Sequence, residues 1–475
     1  MAMASIFLLA TGHHNAGSRE WANPVCRVVG PGWRNNATDD RLGRLGLLQP
    51  RGNTKVVLPQ LPRRRACRFD LEKGDLIVSA TKYDICVVGG LGHVGLPLGL
   101  ALADVGQRVV CYDINRAAIE LVSSGGMPFS EDGAEEVLKR TLGKTLFVSA
   151  DKRSIAESHF VVVVIGTPVD EHLNPKFTVF KRFFDDLVDV VRDDHHLILR
   201  STVFPGTTEK IRNFLQSRGK RPRVSFCPER IAQGKALREI RELPQIVSSF
   251  DAAAEAEVRD LFLKLTPDVI VTEPLEAELA KLFTNSWRYI QFATSNQFYQ
   301  LATDHGVDFY KIYRAMTHKY PRCADFPAAG FAAGPCLLKD TMQLAAFSNN
   351  SFFLGHAAML INEGLPNFLV QTLKDKYVLR TKTAGILGMA FKANNDDKRD
   401  SLSYKLRKIL EVECSEVLCS DVFIDEPGFV DPTTLVERSQ IILVGAPHRE
   451  YASLKIGADK VVVDLWNYFG KGGLF

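Results

Sequence analysis

Short apolar runs alternate with amphipathic stretches over much of the chain. Four of these runs, rich in Val, Ile and Leu, occupy residues 83–89, 108–113, 160–166 and 196–202. An amphipathic stretch at 178–193 separates two of them, as a helix between strands would. Buried strands that alternate with helices are typical of a parallel sheet covered on both faces and joined by right-handed crossovers. The pattern therefore predicts a doubly wound α/β domain from residue 83 to about residue 270.

The middle of the chain has a different pattern. Residues 273–306 are largely apolar and contain no glycine before Gly306, a residue type that commonly follows the end of a helix. A helix this long and apolar cannot remain in water, so we expect it to connect two domains and to pack against a second subunit. Apolar runs return at 383–388, 415–421, 441–445 and 460–464 and predict a second, smaller α/β domain.

The predicted fold class is α/β, with two Rossmann-like doubly wound domains joined by a central helical region that contains the long connecting helix. The predicted boundaries are 1–80 for an N-terminal extension, 81–272 for the first domain, 273–375 for the central region and 376–475 for the second domain. The extension is rich in Arg, Gly and Pro and has few acids before Asp70. Two interpretations stay open: an organelle transit peptide, or an upstream extension without a fold of its own.

Composition narrows the classes of protein that this chain can be. The 475 residues carry a net charge of only +4, which gives no reason to expect a nucleic-acid surface on the folded part. No run approaches the roughly 20 apolar residues that cross a bilayer, so we expect no membrane anchor. The nine cysteines have neither CxxC pairs nor zinc spacing, and an odd count leaves a free thiol. We therefore expect a cytoplasmic protein without a metal, unless the extension directs it to an organelle.

A glycine motif follows the first predicted strand. Gly90, Gly92 and Gly95, with His93 and Val94 between them, form G-x-G-x-x-G before a helical pattern. Such glycines allow a tight turn and a close approach of the backbone to a pyrophosphate at the helix N-terminus.

The residue that ends the second predicted strand supports this interpretation. Asp113 lies 18 residues after Gly95, where a carboxylate would accept ribose hydroxyls and repel a 2′-phosphate. The arrangement predicts NAD rather than NADP. A structural glycine turn beside a solvated Asp is the alternative.

Two further places carry candidate chemistry. Lys281 and Asn285 are four residues apart on the long predicted helix and so share one face, where they could bind an oxyanion. A surface Lys281 paired with Glu278 is the alternative. Cys336 follows a Gly-Pro turn at a predicted helix start, a place that stabilises thiolate and makes it accessible. A buried cysteine that acts as a small hydrophobe is the alternative there.

Seven collinear motifs connect these residues. They are "GLGHVGLP" (90–97), "GTPVDE" (166–171), "STVFPGTT" (201–208), "PERIAQGKA" (228–236), "AELAKLFTN" (277–285), "GFAAGPCLLKD" (330–340) and "GMAFKANNDDKRDS" (388–401). From about 83 to 470 the chain closely resembles the UDP-glucose/GDP-mannose dehydrogenase family, whose members are NAD-dependent nucleotide-sugar 6-dehydrogenases. This resemblance favours the catalytic interpretations of Lys281 and Cys336.

The resemblance implies a four-electron oxidation at C6 of a UDP-hexose. Two hydrides pass in turn to two NAD molecules, and Cys336 holds the intermediate aldehyde as a thiohemiacetal and then a thioester, which water hydrolyses to a uronic acid. It implies that Lys281 and Asn285 polarise the C6 oxygen, that Asp340 orients water, and that Glu229 assists hydrolysis. It also implies a homodimer or a higher homo-oligomer.

The resemblance further assigns binding residues. Thr167 and Thr202 would lie beside the nicotinamide. Arg322 would reach the sugar nucleotide of a neighbouring subunit, for which the planar guanidinium suits phosphate oxygens. Lys392 and Arg399 would meet the UDP or the subunit interface, unless they form solvated ion pairs with Asp396 and Asp397. The remaining implied substrate contacts are Glu229, Arg230, Lys281, Asn285, Phe331 and Gly334.

Some positions depart from the family pattern. The cysteine loop reads "GFAAGPC" where "GFGGSC" is common, and "PER" at 228–230 replaces the Pro-Glu-Phe of many glucose-type members. Arg230 resembles the branch that acts on N-acetylated hexosamines, whereas "CLLKD" is closer to the glucose branch. The sugar therefore stays open between UDP-glucose and UDP-N-acetylhexosamines. Two other functions stay open as well: a single-oxidation β-hydroxyacid-type dehydrogenase, and a non-catalytic sensor of sugar nucleotides.

Overall fold

The first apolar run, Tyr83–Val88, forms a strand inside an eight-stranded sheet. We use a computed structural model that describes residues 81–166 and 177–471. Residues 83–272 contain β1 (Tyr83–Val88), α1 (Gly95–Asp104), β2 (Val109–Tyr112), α2 (Arg116–Ser123), α3 (Ala134–Thr141), β3 (Leu146–Ser149), α4 (Arg153–Ala156), β4 (Ser158–Val163), α5 (Phe177–Leu187), β5 (His196–Leu199), α6 (Thr207–Ser217), β6 (Arg223–Phe226), α7 (Ala236–Glu242), β7 (Gln245–Ser249), α8 (Ala252–Phe262) and β8 (Val269–Thr272).

The strand order in this sheet is β3-β2-β1-β4-β5-β6-β7-β8. The neighbouring strands are parallel except β6 and β7, which pair antiparallel with Ser225 opposite Ser249. This pair corrects the expectation of a wholly parallel sheet. The connection through the short helix α7 enters β7 at the end of the sheet where β6 finishes, so no full crossover is made. The predicted helix at 178–193 is also shorter, since α5 ends at Leu187.

Both faces of this sheet are covered, as predicted. Alternate side chains of β1 join different apolar clusters: Ile85 and Val87 pack in one, and Cys86 and Val88 in the other. Successive side chains of a strand point to opposite faces, so β1 is buried from two sides. The apolar runs thus reflect a central strand of a layered sheet.

The central region is helical and the C-terminal part returns to a sheet. The central region contains α9 (Pro274–Asp304), α10 (Phe309–Thr317), α11 (Leu337–Phe347) and α12 (Phe353–Lys376). The C-terminal part contains β9 (Thr383–Leu387), α13 (Leu402–Glu413), β10 (Glu416–Ser420), α14 (Pro432–Arg438), β11 (Ile441–Val444) and β12 (Val461–Val463). Short 3₁₀ turns lie at Pro321–Cys323, Leu379–Thr381 and Arg449–Ser453. The second sheet is parallel, in the order β10-β9-β11-β12. Two Rossmann-like domains joined by a helical region are confirmed.

Helix α9 is the long connecting helix that the sequence predicts. Its first turn has a capping box between Glu273 and Glu276, with Pro274 at the start, where a missing backbone N–H costs nothing. It ends before Gly306, whose φ of 65° suits a residue without a side chain. The 31 residues span about 46 Å. Helices α11 and α12 pack against it, so α9 can present side chains to both.

The N-terminal extension, with both of its interpretations, lies outside the described residues. Within the part of the chain that the structure describes, none of the helices is long and apolar enough to cross a membrane.

An ion cluster lies at the N-terminal ends of β4, β5 and β6. Glu257 of α8 accepts hydrogen bonds from His159 at 2.6 Å, from His196 at 2.8 Å and from Arg223 at 2.6 Å. Burial alone would raise the pKa of Glu257, but these partners lower the pKa to about 2. The carboxylate therefore links three strands to α8 in its charged form.

This cluster predicts a pH-dependent loss of stability on replacement of Glu257. A folded pKa below the unfolded value of 4.5 stabilises the fold above pH 4.5, and that contribution is lost as the pH falls toward 2. We expect Glu257→Gln to lower the free energy of unfolding at pH 7 by about 2 kcal/mol, after allowance for partial exposure. The difference from the parent protein should shrink as the pH falls below 4.5 in urea titrations.

Glu255 on the same helix is the matched control for this measurement. Its side chain makes no hydrogen bond or ion pair with the other described residues. Glu255→Gln should therefore leave the unfolding free energy unchanged at both ends of the pH range. An equal loss in both variants would contradict the assignment to the ion cluster.

Candidate active site

The glycine turn between β1 and α1 has no room for a side chain at two of its glycines. A side-chain carbon at Gly95 would lie 2.3 Å from the carbonyl oxygen of Gly89, and one at Gly90 would lie 2.7 Å from the Cβ of Cys111. Only glycine fits at these two positions. At Gly92, in contrast, the nearest such atom is 3.9 Å away. The turn therefore presents open backbone at the N-terminus of α1, as a pyrophosphate site requires.

Asp113 lies beside this turn at the end of β2. Its Oδ2 accepts from the Leu91 N–H and its Oδ1 from the Asn115 N–H, each at 3.0 Å. These bonds fix the carboxylate against the turn and leave further lone pairs for ribose hydroxyls. The turn and Asp113 together fit a dinucleotide such as NAD.

His93 faces a cleft between the first domain and the C-terminal part. Its ring lies 4.1 Å from that of Phe129, and burial lowers the pKa of His93. The cleft measures about 440 Å³ and is lined on the far side by residues 396–399 and 423–425.

The other residues expected to bind the cofactor lie in the first domain. Val94 is the N-cap of α1, and Thr202 is half-buried after β5. Thr167 lies outside the described residues.

Helices α9 and α11 meet through one buried hydrogen bond. The Asn285 Nδ2 donates to the Asp340 Oδ2 at 2.6 Å, and the Asp340 side chain is fully buried. The other oxygen, Oδ1, accepts no hydrogen bond from the described residues, although the Lys339 ammonium lies 3.4 Å away. Asp340 thus keeps one buried acceptor atom that receives no hydrogen bond from the described residues.

The same bond brings two more side chains together. Lys281 is one turn before Asn285 on α9, and Cys336 is one turn before Asp340 at the N-cap of α11. Residues four apart lie on one face of a helix, so Lys281 and Cys336 lie on the same faces of α9 and α11 as the bonded pair Asn285 and Asp340. The charges that act on the Lys281 ammonium support this, since Asp340, Cys336 and Glu229 all lie within its electrostatic reach.

Lys281 does not pair with Glu278. Glu278 accepts from the backbone N–H of Gly206 and Thr208 and from the Thr208 hydroxyl at 2.6 Å, so it caps the start of α6. Burial lowers the pKa of Lys281, and the negative neighbours only partly oppose this effect. The surface ion pair of Lys281 with Glu278, considered as the alternative, is not formed.

Cys336 lies at a helix start, as predicted, but its thiol is not acidified. The residue is exposed, and yet its neighbours exclude enough water for burial to raise the pKa of Cys336. Asp340 raises this pKa further, whereas Lys339 and Lys281 lower it. Burial and Asp340 thus act against the expected stabilisation of the thiolate at this helix start.

Glu229 is held by a residue that the sequence analysis missed. The buried Arg200, after β5, bonds to the Glu229 Oε2 from Nε at 2.8 Å and from Nη2 at 2.6 Å. The Glu229 Oε1 accepts from the backbone N–H of Arg230 and Ile231. A lone Arg at the end of an apolar run, "HLILR", was the available signal.

The residues expected near the UDP lie on two sides of the cleft. The Lys392 Nζ donates to the Gln233 carbonyl at 2.7 Å, and Arg399 pairs with Asp397 at 2.6 Å. Arg399 thus forms one of the ion pairs considered as an alternative, and Lys392 does not. The Arg230 guanidinium donates to the Pro244 carbonyl.

The loop before Cys336 is closely packed. Phe331 is buried with its ring 6.5 Å from that of Trp466. Gly334 has a φ of 96°, and a side-chain carbon there would lie 2.5 Å from the ring of Phe391. Arg322 is exposed, and its Nη1 donates to the Tyr320 hydroxyl at 3.2 Å.

Models of one protein family match the chain in three successive parts. For the UDP-glucose/GDP-mannose dehydrogenase family, the NAD binding domain matches residues 83–266, the central domain 275–363 and the UDP binding domain 385–471. The chain belongs to this family.

Individual relatives cover nearly the same residues. A UDP-N-acetyl-D-mannosamine dehydrogenase of Pyrococcus horikoshii is 29% identical over 79% of this chain and 93% of its own. The structure of a UDP-glucose dehydrogenase from Pyrobaculum islandicum has a TM-score of 0.74 at 26% identity and covers 82% of this chain and 96% of its own. A UDP-D-ManNAc dehydrogenase structure from Pyrococcus horikoshii has a TM-score of 0.75 at 27% identity, with 80% and 94% covered.

The family match confirms the resemblance drawn from the seven motifs. The chain is an NAD-dependent oxidoreductase of UDP-sugars, with NAD as cofactor. For this dehydrogenase, the glycine turn and Asp113 are the residues that fit NAD.

The electrostatics of this dehydrogenase site predict opposite effects of two substitutions. Asp340→Asn removes a negative charge that raises the pKa of Cys336, so the iodoacetamide reaction should reach half its maximal rate at a lower pH. Lys281→Met removes a positive charge that lowers this pKa, so its midpoint should move to a higher pH. Mass spectrometry of the Cys336 peptide measures the rate for this thiol alone. Shifts in the same direction for both variants would contradict the arrangement.

Proposed function

We propose that the chain oxidises the C6 hydroxyl of a UDP-hexose to a carboxylate through a covalent intermediate on Cys336. The reaction consumes one UDP-hexose, two NAD⁺ and one water, and yields one UDP-uronate, two NADH and three protons. The observation that supports it is the joint placement of Lys281, Asn285, Cys336 and Asp340 around the bond between α9 and α11. NAD⁺ accepts a hydride in each oxidation.

Lys281 and Asn285 serve the first oxidation. As the C6 hydroxyl loses its proton, the Lys281 ammonium and the Asn285 amide stabilise the negative charge that develops on oxygen. A lowered pKa also lets Lys281 exchange a proton nearer neutral pH than an exposed lysine can. The product of this step is the aldehyde.

Cys336 serves the second oxidation. Its thiolate adds to the aldehyde carbon, and loss of hydride from the thiohemiacetal leaves a thioester. Water then adds to the thioester carbon and the thiolate leaves. The free Oδ1 of Asp340 can accept a proton from this water, and Glu229, fixed by Arg200, can orient it.

We assign the binding tasks to the three parts of the chain. Residues 81–272 bind NAD, residues 273–375 carry the reacting groups, and residues 376–475 bind the UDP. Arg399 lines the cleft from the last part, and the cationic side chains of Lys392 and Arg399 suit phosphate oxygens. Bonding of Lys392 to Gln233 and of Arg399 to Asp397 would be exchanged for contacts to the nucleotide when it binds.

We propose a UDP-N-acetylhexosamine as the sugar nucleotide, with UDP-glucose as the second candidate. The name of the Pyrococcus horikoshii relative, a UDP-N-acetyl-D-mannosamine dehydrogenase, and Arg230 in the "PER" motif favour the first. The Pyrobaculum islandicum UDP-glucose dehydrogenase favours the second. A panel of UDP-ManNAc, UDP-GlcNAc and UDP-glucose separates them.

The ratio of NADH formed to UDP-sugar consumed tests the proposed reaction. We expect two NADH for each sugar nucleotide with the preferred member of the panel. One NADH would indicate a single-oxidation dehydrogenase, and none would indicate a sensor. Cys336→Ser should lower the ratio to one or less, because a serine hydroxyl is a poor nucleophile at neutral pH.

Cys414→Ser is the matched control, since Cys414 is a half-buried cysteine at the end of α13, outside the cleft. It should keep a ratio of two. Steady turnover with two NADH in Cys336→Ser would contradict the covalent role of this thiol.

We further propose that the chain forms a homodimer through α9 and α12. Large apolar side chains are exposed on α9 at Phe283, Trp287, Phe298 and Leu301, a spacing that places them on one face. Leu360 of α12 is also 69% exposed. An apolar band of this kind marks an interface rather than a solvated surface. Arg322, exposed after α10, could then reach the cleft of the other subunit.

This interface predicts that a charge at Trp287 separates the subunits. Trp287 is 60% exposed in the single chain, and buried tryptophans contribute strongly to interfaces. We expect Trp287→Glu to raise the dimer dissociation constant by roughly 30-fold or more, measured by light scattering during gel filtration. Val412→Glu, at an exposed position on α13, should not change the mass. Loss of the dimer in both variants would contradict this location.

A further inference from the structure

A set of buried amides joins α9, α12 and the loop that leads to Cys336. Asn296 lies on α9 about three turns after Asn285, and Asn362 lies on α12. Both side chains are fully buried. Neither has a part in the reaction proposed above.

The Asn296 side chain binds both polar groups of Gly330. Its Oδ1 accepts from the Gly330 N–H at 2.9 Å, and its Nδ2 donates to the Gly330 carbonyl at 2.9 Å. This is the pairing that a neighbouring β-strand would offer to one residue. A single amide thus satisfies the backbone of Gly330 in a place without access to solvent.

Asn362 fixes the orientation of Asn296. The Asn296 Nδ2 also donates to the Asn362 Oδ1 at 2.9 Å, and the Asn362 Nδ2 donates to the Tyr289 carbonyl at 3.0 Å. Because Asn362 is tied to α9 at Tyr289, the amide of Asn296 cannot rotate without loss of several bonds. The two helices therefore hold the amide that holds Gly330.

Gly330 cannot move away on its other side. A side-chain carbon there would lie 2.1 Å from the ring of Trp466, so the backbone is in close contact with that ring. Four residues later, the Gly334 N–H donates to the Asp400 carbonyl at 3.2 Å. The segment before Cys336 is therefore fixed at two points, and Asn296 supplies the hydrogen bonds at the first.

We propose that Asn296 is a positioning residue that sets the place of the Cys336 sulfur through Gly330 and so determines whether the aldehyde is captured. This inference rests on the proposed function, in which Cys336 must reach the aldehyde carbon. Lys281 and Asn285 lie on α9 itself, so the first oxidation depends less on Gly330. A loop released from Asn296 must shift to hydrate the Gly330 peptide groups, because buried groups without partners are costly.

Asn296→Ala and Asn362→Ala form a matched pair for the test. Each removes one fully buried amide from the same set, but only the first removes the bonds to Gly330. Each variant is assayed for NADH per UDP-sugar in the presence of methoxyamine, which traps released aldehyde. We expect Asn296→Ala to lower the ratio from two toward one and to release at least tenfold more trapped aldehyde, with the first-turnover hydride rate within threefold of the parent. Asn362→Ala keeps both bonds to Gly330 and loses only the support of the Asn296 amide, so it should release clearly less aldehyde than Asn296→Ala and keep a ratio nearer to two.

Two results would overturn this role. One is a ratio of two without trapped aldehyde in Asn296→Ala. The other is equal aldehyde release in both variants, which indicates a general loss of stability. If Asn296→Ala does not fold by circular dichroism, Asn296→Ser replaces it, since a serine hydroxyl is too short to bond both groups of Gly330. A parent protein that itself yields one NADH would overturn the proposed function, whereas a parent and an Asn296 variant that both yield two overturn only the role of Asn296.

Discussion

The reacting groups of this protein depend on the buried hydrogen bond from Asn285 to Asp340. A carboxylate without solvent is tolerated only where polar partners compensate its burial, so α9 and α11 must meet in the register that joins these two side chains. Each helix carries its second reacting residue one turn away, Lys281 on α9 and Cys336 on α11. This hydrogen bond, within the packed interface of α9 and α11, thus joins two pairs of side chains from distant parts of the sequence.

The same water-poor cleft acts in opposite directions on the two titratable residues. It lowers the pKa of Lys281 and raises the pKa of Cys336, so it favours the neutral form of both. Each charged form would stabilise the other, since the ammonium lowers the pKa of the thiol and the thiolate raises that of the amine. A charge that enters with a ligand therefore changes both protonation states at once. The chemistry of the site is a property of the pair and not of either residue.

The local sequence pattern predicts much of this fold and part of its active site. Apolar runs identify β1, β2, β4 and β5, because buried strands need continuous apolar sequence. Periodicity does not encode strand direction, so the antiparallel pairing of β6 and β7 was missed. Arg200 was missed because its partner Glu229 adjoins it only across the sheet. The position of Cys336 was predictable, whereas the direction of its pKa depends on Asp340 and on packing, which only three dimensions show.

The contact of Gly334 with the C-terminal part has a consequence for how the molecule could be divided. In the loop before the thiol, Gly334 packs against the ring of Phe391 and donates its N–H to the carbonyl of Asp400. The loop belongs to the central region, whereas both of these contact residues belong to the C-terminal part. The C-terminal sheet is therefore not an accessory module added to a complete catalyst. A chain that ended after α12 would keep the Asn296 bonds to Gly330 but would lose the contacts of the loop with Trp466, Phe391 and Asp400, so the loop that carries Cys336 would be held on one side only.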